Sequence, residues 1–196
     1  TTAGSDALRG SIASWLAQRY GLSALDAKSQ VLPVNGSREA LFAFAQAVID
    51  RTCDNPTVIC PNPFYQIYEG AALLAGATPY FLNTLPEDNY ALNFDQLPQE
   101  VWQRTQLIYV CSPGNPTGRV IGLAEWKTLF DLADRYGFII AADECYSEIY
   151  FDTPPLGALQ AAQQLGRSDY RNLVSFFSLS KRSNVPGMRS GFVAGD

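Results

Sequence analysis

The run Phe138-Ile139-Ile140-Ala141-Ala142 is unbroken by any polar residue and stops at Asp143-Glu144. A strand with one face in water alternates apolar and polar residues, whereas an unbroken apolar run needs cover on both faces. Mostly apolar runs recur at 57–60, 107–110 and 173–177, and shorter strand patterns stand at Val31–Val34, 79–82 and Gly191–Gly195. Between them the apolar spacing turns helical. Leu8, Ile12, Trp15 and Leu16 follow Ser5 and end at Gly21; Leu41, Phe44, Ala45 and Val48 follow Gly36-Ser37. A third helix is expected at 65–75 before Gly76, a weak one at 95–103 after the polar excursion 85–93, and a long one at 123–136 before Gly137. Strand and helix in alternation, with connections long enough for crossovers, predict an open α/β sheet covered by helices on both faces, a three-layer α/β/α arrangement.

Composition removes several alternatives. With 47% apolar residues and 17% charged, the 196-residue chain has the means to pack a core. A net charge of −5 lacks the basic surface that nucleic acid or an anionic membrane would require. Histidine is absent, which excludes a His-containing zinc site and a Ser-His-Asp triad, and no metal is expected. Cys53, Cys60, Cys111 and Cys145 form no C-x-x-C pair and read as reduced, mostly buried thiols. With neither a signal peptide nor a membrane span in view, a cytoplasmic protein is the expectation.

In open α/β sheets ligands bind beyond the carboxyl ends of the strands. The unusual residues follow strands on that edge: Gly36-Ser37, Ser112-Pro113-Gly114-Asn115-Pro116-Thr117-Gly118, Asp143-Glu144 and Ser178-Leu179-Ser180-Lys181. Each has a plain reading of its own. Gly36-Ser37 is either a phosphate-binding helix N-terminus or an ordinary N-cap. Asp143, closing an apolar strand, needs a partner or a function, or else caps a turn. Asn115-Pro116 is a common turn dipeptide. Lys181 is one of three lysines; Lys28 and Lys127 occupy polar, solvated contexts, whereas Lys181 stands among small residues with Arg182 and Arg189 nearby. Neighbouring cations lower an amine's pKa, as imine formation requires, although a surface ion pair is the alternative.

Together the strings Asn35-Gly36-Ser37-Arg38-Glu39-Ala40, 112–118, Asp143-Glu144-Cys145-Tyr146, Ser178-Leu179-Ser180-Lys181 and Pro186-Gly187-Met188-Arg189-Ser190-Gly191 resemble the class I/II aminotransferases, fold-type I enzymes dependent on pyridoxal 5'-phosphate (PLP). The resemblance implies a mostly parallel seven-stranded sheet with Gly191–Gly195 antiparallel inside it, and a cis bond at Asn115–Pro116. It implies a PLP-binding large domain at 31–196, preceded by a helix and connection at 1–30. Lys181 would hold the cofactor as an imine and then shuttle the proton, and Asp143 would keep the pyridine nitrogen protonated. Tyr146 and Asn115 would hydrogen-bond the ring's 3-oxygen, and Tyr65 would stack on the ring. Gly36, Ser37, Arg38, Ser178, Ser180 and Arg189 would hold the phosphate.

The strings at 36–42, 61–68 and 180–195 look most like the N-succinyl-LL-2,6-diaminopimelate aminotransferases of lysine biosynthesis. Amino acid and 2-oxo acid substrates, and a homodimer, are implied with them. Family members are longer and carry a small domain whose arginine binds the substrate carboxylate, so this chain is expected to be a fragment covering the large domain. Other readings of the same motifs are an aspartate- or alanine-type aminotransferase, a PLP lyase, or the effector domain of an aminotransferase-like transcription regulator.

Overall fold

The computed structural model describes residues 2–23 and 25–196; Thr1 and Ala24, both within the expected 1–30 segment, lie outside the described residues. The strands are β1 (Val31–Val34), β2 (Thr57–Asn62), β3 (Thr78–Asn83), β4 (Thr105–Cys111), β5 (Ile139–Asp143), β6 (Leu173–Ser178) and β7 (Gly191–Gly195). The α-helices are α1 (Asp6–Tyr20), α2 (Ser37–Val48), α3 (Ile67–Leu74), α4 (Gln99–Arg104), α5 (Leu123–Tyr136), α6 (Ala158–Gln164) and α7 (Leu179–Arg182). The limits of α1 follow its signals. Ser5 Oγ accepts from Leu8 N–H, and Gly21 closes the helix in the left-handed conformation at φ 64°.

All seven strands form one sheet in the order β1-β7-β6-β5-β4-β2-β3. The pairs β2–β3, β2–β4, β4–β5 and β5–β6 are parallel. β7 runs antiparallel to both neighbours, β1 and β6, as expected for the interior antiparallel strand. The Asn115–Pro116 bond is cis, and so are Asn62–Pro63 and Ser112–Pro113.

Alternation along each strand divides the core into two layers. On β4, Ile108 and Val110 join an apolar cluster with Ile12, Leu16 and Tyr20 of α1, Trp126, Leu129 and Phe130 of α5, and Leu159 of α6. Leu107 and Tyr109, one position out of phase, join the opposite cluster with Leu41 and Ala45 of α2 and Tyr68, Ala71 and Ala72 of α3. β5 divides likewise: Ile140 and Ala142 to the first cluster, Ala141 to the second. Each fully buried Leu or Phe stabilises the fold by ~1.5–3 kcal/mol, so both faces of the sheet are held by helices. The edge strand β3 is more open, with Thr78, Phe81 and Asn83 exposed, and it tolerates Pro79 because an edge need not donate on both sides.

Three expectations change. The helix read at 65–75 starts only at Ile67, because Pro61 and Pro63 keep the preceding chain extended and leave Tyr65 in the turn. The helix read at 95–103 splits into a 3₁₀ turn, Phe94–Gln96, and α4, because Pro98 holds Leu97 extended. The cysteines are all free, but only Cys60 is buried; Cys53 lies exposed in the turn after α2.

Candidate active site

The register sets Cys111 beside Asp143 and Asp143 beside Phe176, so β4, β5 and β6 end along one edge of the sheet. A cavity of about 540 Å³ opens beyond that edge. Ser37, Arg38, Tyr65, Asn115, Asp143, Tyr146, Ser178, Ser180, Lys181 and Arg189 all line it. Gly36 sits just behind the lining as N-cap of α2, at φ 98°, and a Cβ there would collide with the Arg189 guanidinium. Four loops far apart in sequence thus meet where the sequence places them.

Asp143 dominates the electrostatics. Strand alternation continues from Ala141, so its carboxylate faces the α2–α3 layer, where it is 4% exposed. Its Oδ2 accepts from the Tyr68 hydroxyl at 2.7 Å and its Oδ1 from the Cys145 N–H at 3.2 Å. Burial pushes the carboxyl pKa up, while the donors from Cys145 and Tyr68 oppose the rise. Among the described residues it makes no ion pair within 4 Å. A buried carboxylate without a cation, bordering a cavity, leaves a place for a positively charged ligand atom.

Lys181 lies on the one-turn helix α7 that starts at Ser178, whose Oγ accepts from Ser180 N–H. Arg182, one residue on, turns away and stacks over the Trp15 ring at 4.1 Å. Arg189 faces the N-terminus of α2, where it pairs with Glu39 at 2.6 Å and approaches Ser180 Oγ at 3.5 Å. Burial disfavours the Glu39 charge, but its own N–H and Arg189 outweigh that and hold its carboxyl below the usual range. A carboxylate therefore already sits where a helix N-terminus and an arginine converge, the arrangement that takes a phosphate. Ser37 Oγ lies 3.0 Å from Cys145 Sγ, which leaves its backbone N–H as the group offered at the helix start. Tyr146 borders the cavity with its phenol pKa raised by burial.

Glu39, Tyr68, Cys111, Cys145 and Pro186 also line the cavity and were not singled out from the sequence. Tyr68 had a signal: it stands three residues after Tyr65, a spacing that puts both rings on one side of a helical turn. The rings meet edge-on with centroids 6.0 Å apart. No helix among the described residues is long and apolar enough to cross a membrane, and no cluster of acidic or cysteine side chains there could hold a metal.

The family model for aminotransferase class I and II matches residues 1–196. The LL-diaminopimelate aminotransferase of Aquifex aeolicus is 34% identical over 190 residues, covering 96% of this chain and 46% of that protein. A crystal structure of an aminotransferase from Neisseria meningitidis superimposes with a TM-score of 0.95 at 56% identity, covering all of this chain and 49% of that one. A probable N-succinyldiaminopimelate aminotransferase from Thermus thermophilus gives 0.85 at 25% identity, covering 96% of this chain and 48% of that one. The chain spans about half the length of the curated relatives it matches.

Proposed function

Because this chain belongs to the class I and II aminotransferases, we propose that it is the cofactor-binding part of a PLP-dependent transaminase, with residues 31–196 as the PLP domain and 1–30 as the helix and connection that precede it. The observation that carries the reading is Asp143, a buried carboxylate without a cation, on a cavity shared with Lys181 and Arg189. The donor set suits PLP: a carboxylate for the ring nitrogen, an amine for the aldehyde, and a helix N-terminus with an arginine for the phosphate. When bound, PLP supplies an electron-poor ring that stabilises negative charge at the substrate α-carbon.

In this reading Asp143 keeps a proton on the ring nitrogen. Lys181 would hold the cofactor's aldehyde carbon through its Nζ, and its free amine would be the base that moves the substrate α-proton. Tyr65 would cover one ring face, while Tyr146 and Asn115 would hold the 3-oxygen by donating to it. The N–H groups behind Gly36, at Ser37 and Arg38, would join Ser178, Ser180 and Arg189 in holding the phosphate, which would take the place that the Glu39 carboxylate has beside Arg189.

For the complete protein we propose a cytoplasmic homodimer that transfers an amino group between N-succinyl-LL-2,6-diaminopimelate and 2-oxoglutarate. A second reading, the unsuccinylated LL-diaminopimelate as substrate, is favoured by the names of the curated relatives. Rates of the full-length protein with the two amines decide between them.

The cofactor reading is tested by incubation with PLP, borohydride reduction and peptide mapping. The label falls on Lys181 and vanishes in Lys181→Ala. Equal labelling of Lys28 and Lys127 would overturn the assignment.

A further inference from the structure

We infer that Tyr68 is a positioning residue of this site, whose hydroxyl holds the Asp143 carboxylate in place and keeps it able to accept a proton-bearing ring nitrogen. The inference rests on the reading that Asp143 faces the PLP ring. Tyr68 is 1% exposed, and its hydroxyl ends 2.7 Å from Asp143 Oδ2. Its own pKa is raised well above the usual phenol value by burial and by the adjacent Asp143 charge, so it donates throughout the working pH range. Cys145 N–H occupies Oδ1. A bond to each oxygen fixes the carboxylate plane and leaves lone pairs free on the cavity side.

The tyrosine is itself anchored. Its ring stacks on Tyr109 with centroids 4.6 Å apart and an interplanar angle of 8°. The Tyr109 hydroxyl in turn donates to Leu41 C=O at 2.8 Å, on α2, the helix that starts at the expected phosphate loop. The support of the ring-nitrogen end is therefore tied through two stacked phenols to the helix of the phosphate end. Without Tyr68, desolvation of Asp143 meets less opposition and the carboxyl holds its proton to higher pH. A protonated Asp143 no longer attracts a pyridinium.

The titratable groups that bear on Asp143 are Tyr68 on α3, Cys111 on β4, and Cys145 and Tyr146 after β5. Lys181 on α7, Arg189 beyond it, and Arg38 and Glu39 on α2 line the same cavity. Cys111 and Cys145, their thiol pKa values raised by burial, stay neutral; the Cys145 thiol also donates to the carboxylate, beside the Tyr68 hydroxyl.

The test is PLP binding, read by cofactor absorbance between about pH 6 and pH 9, for the full-length protein and for Tyr68→Phe, Asp143→Asn and the double variant. Phenylalanine keeps the ring on Tyr109, so the melting temperature of the PLP-free protein is expected to stay near that of the parent. PLP affinity falls roughly tenfold, as for the loss of one hydrogen bond to a charged group. That loss grows as pH falls, with the midpoint higher than in the parent. In the Asp143→Asn background the Tyr68 change adds nothing. An unchanged affinity and pH profile in Tyr68→Phe overturns the inference. So does an equal loss in the Asp143→Asn background, which would mean that Tyr68 acts on the cofactor without Asp143. Failure of the parent itself to take PLP at Lys181 defeats the underlying reading instead.

Discussion

Asp143 and Glu144 are adjacent carboxylates, both almost fully buried, on opposite faces of the sheet. Each accepts from a phenol: Asp143 from Tyr68 at 2.7 Å, Glu144 from Tyr20 at 2.8 Å. Glu144 Oε1 also takes the Ala158 N–H at 3.1 Å, at the first turn of α6. Its surroundings are closed, since a Cβ at Gly157 would lie 2.7 Å from Oε2 and 2.6 Å from the Tyr20 ring. Asp143 instead borders the open cavity. Two buried acids with the same kind of donor thus serve different ends. Glu144 ties α1 and α6 to the end of β5 and has no room for a ligand, whereas Asp143 has unused lone pairs and space in front of them.

The largest expected effect follows from that closure. Glu144→Ala leaves the Tyr20 hydroxyl and the Ala158 N–H buried without a partner and is expected to cost about 3–5 kcal/mol in denaturant unfolding. Asp143→Ala removes a buried charge beside a cavity that water can enter, and is expected to stay within about 1 kcal/mol. Equal costs for the two would erase the distinction.

The pH dependence is next. Burial pushes the Glu144 carboxyl up to about 7 from an ordinary 4.5. The folded protein therefore holds a proton that the unfolded chain releases, and this contribution to stability is present below the unfolded pKa. It is lost as pH rises from 4.5 through about 7, by up to ~3 kcal/mol. Melting curves of the parent and Glu144→Gln across that window should diverge, with the variant flatter; matching slopes would show that Glu144 does not carry this titration.

The smallest effect sharpens the same contrast at two glycines. Gly157→Ala drives a methyl into Tyr20 and Glu144 and is expected to cost about 1–3 kcal/mol. Gly36→Ala meets only the far ends of the flexible Arg189 and Glu39 side chains, so its cost is the backbone strain of an extended residue at positive φ, about 1–3 kcal/mol. Gly36→Ala also lowers PLP affinity, and Gly157→Ala does not. Calorimetry of the PLP-free forms, followed by PLP titration, separates the two.

The strands were legible because a run covered on both faces has to be apolar throughout, as at 138–142. The long helix α5 matches its expected limits because the spacing of Trp126, Leu129, Phe130 and Ala133 and the stop at Gly137 agree. α6 escaped notice because Ala158–Gln164 is short and its N-cap, Gly157, has no side chain to signal a start. α7 is a single turn whose sequence is that of a loop. Every side chain expected in the candidate site reaches the cavity, with Gly36 behind it, because the strands before them end on one edge of the sheet and the antiparallel β7, just after Arg189, begins there. What the sequence concealed are the supports. Tyr68 falls within the expected helix 65–75 and Glu144 beside Asp143, but which face a side chain takes depends on strand register and packing. The Glu39–Arg189 pair spans positions too distant in sequence to be read as neighbours.

The sheet order also has a consequence for how the chain is made. β1 leads directly into the Gly36-Ser37 turn, yet among the described residues its one strand neighbour is β7, at Gly191–Gly195. A ribosome releasing this sequence exposes β1 first and must finish β7 before β1 has an edge to join. Until then the start of α2 has no fixed position relative to Arg189, and the phosphate end of the cavity cannot close. Pairings this distant in sequence form slowly, so the phosphate end of the pocket closes only after Gly191–Gly195 has been made. A nascent chain stalled before Gly191 displays the bare edge of β6, open to chaperones or to other unfinished chains.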